Sequence, residues 1–262
     1  MQNVSKMRLT TILCWWLSAI AASLLFLVCA KPAAAAGPVR IVILGDSIDS
    51  DEPPERPIQG WGTYLQGKLV NVQVTNLALS GRSTKTFLHG ETNKDGAHNP
   101  PKNWIKAQST PADYWIIKFG GNDSHPATEE KHTDPDTEYA ANLKIFIDTA
   151  RKLGIKPILV TPPDRPVRNG IVAGNNMTAI GPYADAARRV AKEEDVPLID
   201  MFTFSHETFG KMTVEEMDKM LPPELGGHLN LAGANFVAQW MAEQLVKVLP
   251  QLKLASAQPT AR

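Results

Sequence analysis

Five short runs rich in β-branched residues recur along this chain with helical patterns between them, and that alternation restricts the fold more than any other feature. The runs are VRIVIL (Val39–Leu44), VQVTNL (Val72–Leu77), YWIIKF (Tyr114–Phe119), KPILVT (Lys156–Thr161) and VPLIDM (Val196–Met201). Bounded by turn residues and too short for helices, they read as five buried strands. Helical periodicity occupies Gly60–Leu69, Asp136–Leu153, Pro182–Glu194 and Ala232–Leu249. The longest pattern carries Tyr139, Leu143, Phe146, Ile147 and Ala150 on one face and stops at Gly154, a residue suited to the position just past a helix end. Alternation of this kind predicts an α/β fold of three layers, a parallel sheet between two sets of helices. In such folds chemistry gathers at the carboxyl ends of the strands.

The first 36 residues follow a different pattern. Lys6 and Arg8 precede an apolar run, Leu9–Ala30, and the small residues of KPAAAAGP offer an Ala34-x-Ala36 cleavage pattern before Gly37. Export through a signal peptide spanning residues 1–36 is expected, to a secreted or periplasmic destination. The alternative is an uncleaved anchor over residues 9–30, because about 22 residues at ~1.5 Å each cross a hydrocarbon core of roughly 30 Å. Bulky Val28 directly before Cys29 argues against lipidation. Both cysteines, Cys14 and Cys29, lie within this segment, so the domain over residues 37–250 has no thiol for a disulfide or a structural zinc. Removing residues 1–36 takes Lys6, Arg8 and Lys31 from 27 basic residues and nothing from 27 acidic ones, leaving 24 against 27. That balance gives no reason to expect a nucleic-acid partner. No solenoid repeat is apparent, and the chain is expected to form one compact domain ending in a disordered tail over residues 251–262.

Each of the first three strands ends in residues suited to acyl transfer. After the first comes GDSIDS, where a glycine turn presents the Ser47 hydroxyl beside backbone amides. After the second, ALSGRSTKTF places Gly81 where a free amide faces the crevice and receives an oxyanion. After the third, FGGNDSH offers the Asn122 side-chain amide, with Asp123 to brace the loop. Taken singly each is also ordinary turn material, Gly-Asp-Ser and Asn-Asp included. Their conjunction at three successive strand ends is far less common than any one of them.

With HLNLAG ahead of the last helical pattern, these residues resemble the SGNH or GDSL-type hydrolases, whose four blocks supply serine, glycine, asparagine and histidine. The resemblance covers nearly all of the chain after the leader. QGWG (Gln59–Gly62), LSGRSTKTF and DYWIIKFGGND are similar to the rhamnogalacturonan acetylesterase-type members. It implies a flavodoxin-like sheet of order 2-1-3-4-5, Ser47 as nucleophile and His228 as base. The Ser47 and Gly81 amides and the Asn122 side chain would form the oxyanion hole. No cofactor or metal is implied, and a monomer acting on an acetylated carbohydrate is expected.

One position departs from the family pattern. Where an aspartate is expected three residues before the histidine, this chain has Leu225, with Glu224 one residue earlier. Three arrangements stay open: Glu224 reaches His228 across Gly226 and Gly227, Glu224 is a solvated loop carboxylate, or a backbone carbonyl holds the imidazole in a Ser–His dyad. His89, His98, His132 and His206 lack metal-ligand spacing, and His125 reads as a rim residue. Trp61 and Trp104 either stack on a sugar or pack in the core. The polar insert from His89 to Trp104 is a place for substrate selectivity. Beside the acetylesterase stand two alternatives, a non-catalytic carbohydrate-binding protein on the same scaffold and a lipase or thioesterase.

Overall fold

The computed structural model describes residues 37–92, 95–126, 129–164, 167–168, 171–172 and 180–256. The expected signal segment, the anchor alternative and residues 257–262 lie outside the described residues. Five parallel strands form the central sheet: β1 (Val39–Leu44), β2 (Val72–Asn76), β3 (Tyr114–Lys118), β4 (Lys156–Val160) and β5 (Leu198–Ile199). Their order across the sheet is β2-β1-β3-β4-β5, the order that the resemblance to the SGNH or GDSL-type hydrolases implies. Sequential parallel pairing needs a crossover each time, and the reversal of direction between β1 and β3 opens a crevice at their carboxyl ends.

Side chains of β1 alternate between two cores because a strand has a period of two. Ile41 and Ile43 face Trp61, Leu65 and the helix Leu231–Val248, whereas Val42 and Leu44 face Phe119, at the end of the neighbouring strand, and Phe146, Tyr183 and Val190 from the helices on the other side. Both faces being covered explains why the strands read as continuous apolar runs. The eight helices used below are α1 (Gly62–Leu65), α2 (Thr84–His89), α3 (Lys102–Ser109), α4 (Ala140–Lys152), α5 (Gly181–Glu193), α6 (Met201–Gly210), α7 (Val214–Asp218) and α8 (Leu231–Val248).

Four of these helices were not legible from apolar periodicity. Short α2 begins at a capping box in which Ser83 and Thr86 exchange side-chain to backbone bonds. Helix α3 follows the Pro100–Pro101 pair inside the polar insert, whose other half is a hairpin of Glu91–Thr92 with His98–Asn99. The fifth strand stops at Ile199, because the Asp200 side chain accepts from Thr203 N and starts α6 where VPLIDM suggested more strand. Thr213 and Glu216 form the capping box of α7.

The tail departs from expectation. Residues 251–256 are ordered against the body: Lys253–Leu254 pairs antiparallel with Leu69–Val70, and Leu252 is buried in the core. Gln251 Nε2 also donates to the Tyr114 hydroxyl at 2.8 Å. Leucine spacing in QLKL is the physical reason, since Leu252 covers apolar surface that α8 leaves open. Among the described residues no helix is long and apolar enough to cross a membrane.

Candidate active site

Directly after β1 the chain turns through Gly45–Ser50. Asp49 N and Ser50 N both donate to Asp46 O, at 3.1 and 3.0 Å, and this tight turn lifts Ser47 to the carboxyl edge of the sheet. The Ser47 hydroxyl lies 2.8 Å from His228 Nε2. His228 Nδ1 in turn lies 2.8 Å from the Leu225 carbonyl oxygen. A carbonyl can only accept, so Nδ1 carries the ring proton and Nε2 presents a lone pair to the serine. A hydroxyl, an imidazole with its lone pair directed at it, and a carbonyl that orients the imidazole are therefore in line.

What holds His228 is the backbone of the residue at the expected aspartate position. Glu224 is not brought to the histidine. It sits exposed on the turn Pro223–Leu225 and lines a separate groove with Pro54, Arg56, Tyr64 and Leu231. The Leu225 side chain is buried, and left-handed backbone at Gly226 (φ +59°) and Gly227 (φ +88°) then folds the chain so that His228 N and Nδ1 both return to Leu225 O. Glycine tolerates that conformation where other residues are strained. Beyond His228, Asn230 caps α8 by accepting from Gly233 N at 3.0 Å, and its own amide donates to Lys219 O.

The QGWG segment joins the two loops. Gln59 N donates to Leu229 O at 2.9 Å, one residue past the histidine, and Trp61 N donates to Ile48 O at 3.0 Å, one residue past the serine. Between them Gly60 packs so closely on the turn that a Cβ would stand 2.3 Å from Ser50 O. Only a glycine permits that approach. Trp61 is fully buried in the core, and Trp104 makes edge contacts with Trp115 and Phe146, so both tryptophans pack in the body of the protein.

The second and third blocks meet through Asp123, which is fully buried. It accepts from Thr84 N, Thr84 Oγ1, Gly120 N and Thr133 Oγ1, all at 2.5–3.1 Å. Burial pushes its carboxyl up to about 7 against the pull of the Thr84 and Thr133 hydrogen bonds. Asn122 Nδ2 donates to Arg82 O at 3.0 Å, which uses one N–H of its amide and ties the Asn122 loop to that of Gly81. Gly81 itself has φ +78°, and Leu79 N donates to Gly45 O, which ties its loop to the serine turn. A cavity of about 110 Å³ opens at Ser47, walled by Ile48, Asn122, Pro163, Asp164, Ile180 and His228 among others. Gly81 stands outside this lining, and the Gly81 and Asn122 loops meet at Arg82.

A side chain that the strand pattern concealed lies beneath the site. Lys118, the last residue of β3, is 0 % exposed, and its ammonium lies 2.5 Å from Asp46 Oδ1 and 3.1 Å from Asp49 Oδ2. Burial draws the lysine down, and the two carboxylates outweigh it, so that the ammonium is held above its usual range. Burial likewise pushes Asp49 up to about 7, opposed by Lys118. The one signal in the sequence was a lysine inside an otherwise apolar run. At the opposite rim Asp164 follows β4 and lies 2.7 Å from His206 Nδ1. Among the described residues no group of three or more His, Cys, Asp or Glu side chains stands together as metal ligands would.

Sheet order defines an α/β fold of the flavodoxin-like type, with the serine turn and the histidine ahead of the last helix brought together at its carboxyl edge. A sequence model of the GDSL-like lipase/acylhydrolase family matches residues 43–235, and the chain belongs to that family. It is 32 % identical to the rhamnogalacturonan acetylesterase RhgT of Bacillus subtilis, over 82 % of this chain and 93 % of that one. It is 30 % identical to the isoamyl acetate-hydrolyzing esterase 1 homolog of Rattus norvegicus, over 63 % and 67 % of the two chains. Among solved structures, YxiM of Bacillus subtilis superposes with a TM-score of 0.62 at 25 % identity, covering 82 % of this chain and 58 % of that one. The acetylxylan esterase Axe2 of Geobacillus stearothermophilus shares the fold, with a TM-score of 0.57 at 17 % identity over 82 % of this chain and 95 % of that one.

Proposed function

We propose that this chain is an exported esterase that removes O-acetyl groups from a polysaccharide or oligosaccharide, with Ser47 as nucleophile and His228 as general base. The observation that carries this reading is the 2.8 Å contact of Ser47 Oγ with His228 Nε2, backed by Nδ1 on Leu225 O. Ser47 Oγ attacks the acetyl carbonyl while its proton passes to Nε2. The charge that develops on the carbonyl oxygen is received by the Ser47 and Gly81 N–H groups and by the second N–H of Asn122. Collapse breaks the bond to the sugar oxygen, which takes the proton from His228 and leaves as the sugar hydroxyl, and an acetyl-serine remains. Water, deprotonated by the same nitrogen, then releases acetate.

A carbonyl in place of a carboxylate behind the histidine changes less than it first suggests. In the chymotrypsin-type triad, the loss of about 10⁴ on replacing the aspartate by asparagine comes from the wrong tautomer. Here Leu225 O holds the right tautomer, and what is missing is a negative charge beside the imidazolium. Glu224→Gln and Glu224→Ala are accordingly expected to keep acetate release within about twofold, the effect of an ordinary exposed position. A loss beyond tenfold in both variants, measured as kcat, would return Glu224 to the role of orienting acid.

Support for an acetyl group comes from two directions. The relatives at 32 % and 30 % identity are named for acetyl esters of very different alcohols, and the cavity at Ser47 is small. The carbohydrate alcohol rests on the first of these relatives and on the QGWG and GGND blocks. A panel of acetylated poly- and oligosaccharides assayed for acetate, with Ser47→Ala as control, tests it: release from none of them, with turnover of small acetyl esters intact, rejects the carbohydrate. Export rests on the pattern over residues 1–36, and the mature protein is expected to begin at Gly37. Intact mass of the protein recovered outside the cytoplasm checks this, a chain still carrying Leu9–Ala30 pointing instead to an anchor.

A further inference from the structure

Resting on the reading of Ser47 as nucleophile, we propose that Lys118 is a positioning residue whose buried ammonium clamps the carboxylates of Asp46 and Asp49 and so sets the turn that carries Ser47.

Those two carboxylates grip the turn from both ends. Asp46 Oδ1 accepts from Ile48 N at 3.0 Å, just past the serine, and Asp49 Oδ2 accepts from Asp46 N at 3.0 Å, just before it. Both oxygens are the ones that meet Lys118 Nζ. All three side chains are at most 2 % exposed. Two acids so placed repel each other in a low dielectric, and among the described residues Asp49 Oδ1 has no hydrogen-bond partner. A cation between them offsets that repulsion and lets both charged acceptors stay aimed at the turn. Lys118 enters from the neighbouring strand β3, whose Ile117 lies in register with Leu44, so the rigid sheet fixes where that cation stands. Lys118 also lines the cavity that Ser47, Asn122 and His228 share.

A lysine that merely filled this space would act otherwise. Buried ion pairs are weak contributors to stability, and apolar replacements are often neutral. A clamp on the nucleophile turn changes instead the placement of Ser47 Oγ on Nε2 and of Ser47 N as oxyanion donor, which appears in turnover and not in substrate binding.

The test is the rate at which a fluorophosphonate labels Ser47, counted per folded molecule, in the full chain, in Lys118→Met and in Lys118→Gln/Asp46→Asn. It is run beside kcat and KM for an activated acetyl ester. Removing the ammonium alone is expected to slow labelling and kcat by about 10- to 100-fold with KM little changed, the penalty of a misplaced nucleophile. The paired variant removes one charge of each sign and leaves an amide facing an acceptor, and it is expected to recover labelling to within about fivefold of the full chain. Lys118→Met labelled at the full rate overturns the proposal, as does a folded paired variant no faster than Lys118→Met. If Lys118→Met does not fold, the paired variant decides alone, rapid labelling supporting the clamp and slow labelling of folded protein rejecting it. An unaltered chain that does not label at Ser47 rejects the esterase reading itself, whereas labelling indifferent to Lys118 rejects only the clamp.

Discussion

Replacing Ser47 with alanine is expected to lower turnover of an activated acetyl ester by about 10⁵- to 10⁶-fold while leaving the fold intact, the loss that follows removal of a serine nucleophile from such a site. Its hydroxyl meets His228 Nε2, and the turn around it is held by bonds that alanine keeps: Asp49 N and Ser50 N to Asp46 O, and Ile48 N to Asp46 Oδ1. Stability should move by less than about 1 kcal/mol, because nothing buried is left unpaired except a histidine nitrogen at the edge of a cavity. Urea unfolding checks the fold and steady-state kinetics the chemistry. Residual rate over water persists through the oxyanion donors, so the variant is slow and not inert. Retention of more than about a hundredth of the original kcat is incompatible with Ser47 as nucleophile, since no donor left in place supplies that much on its own.

His228→Ala is expected to cost about 10⁴- to 10⁶-fold in kcat, and in combination with Ser47→Ala no more than the worse of the two. The reason for non-additivity is sequential: the reaction starts at the 2.8 Å contact the two side chains share, and without the serine hydroxyl no acetyl-serine forms for the later proton transfers of His228 to act on. The loop should survive the change, because the Leu225 carbonyl still accepts His228 N at 3.1 Å and Asn230 still caps α8. Added imidazole should restore part of the activity of His228→Ala and none of Ser47→Ala, the missing base being a diffusible molecule and the missing nucleophile not. Losses that multiply in the double variant would mean the two side chains act in separate steps and would undo the assigned roles.

The residues proposed to do the chemistry were legible to different depths. Ser47 and Asn122 follow strands whose apolar runs are unmistakable, so their place at the carboxyl edge is set by counting along the chain. His228 announces itself by HLN before an amphipathic helix, with Asn230 as cap. Glu224 looked plausible because sequence distance says little about a loop containing two glycines. At Gly226 and Gly227 the backbone turns left-handed, and the longer side chain is carried away from the imidazole while a carbonyl arrives beneath it. The described part of the tail, residues 251–256, was misread for a related reason: two leucines in a polar, alanine-containing end look like a disordered terminus until the core around Leu69 is there to take Leu252.

By itself the sequence determined the layers and which residues stand at the strand ends, because periods of two and 3.6 are local, while the strand order came only with the resemblance to the SGNH or GDSL-type hydrolases. Only the tertiary structure decided the contacts that make those residues a site. The serine and histidine that meet are 181 positions apart, and the Lys118–Asp46 pair is 72 apart. Gln59 and Trp61 touch both loops through backbone N–H groups that no residue type reveals. At Leu225 the side chain suggested a lost function, and the carbonyl, which every residue carries, supplies the bond. Backbone groups are the same at every position, so which of them does chemical work depends on where the fold puts them.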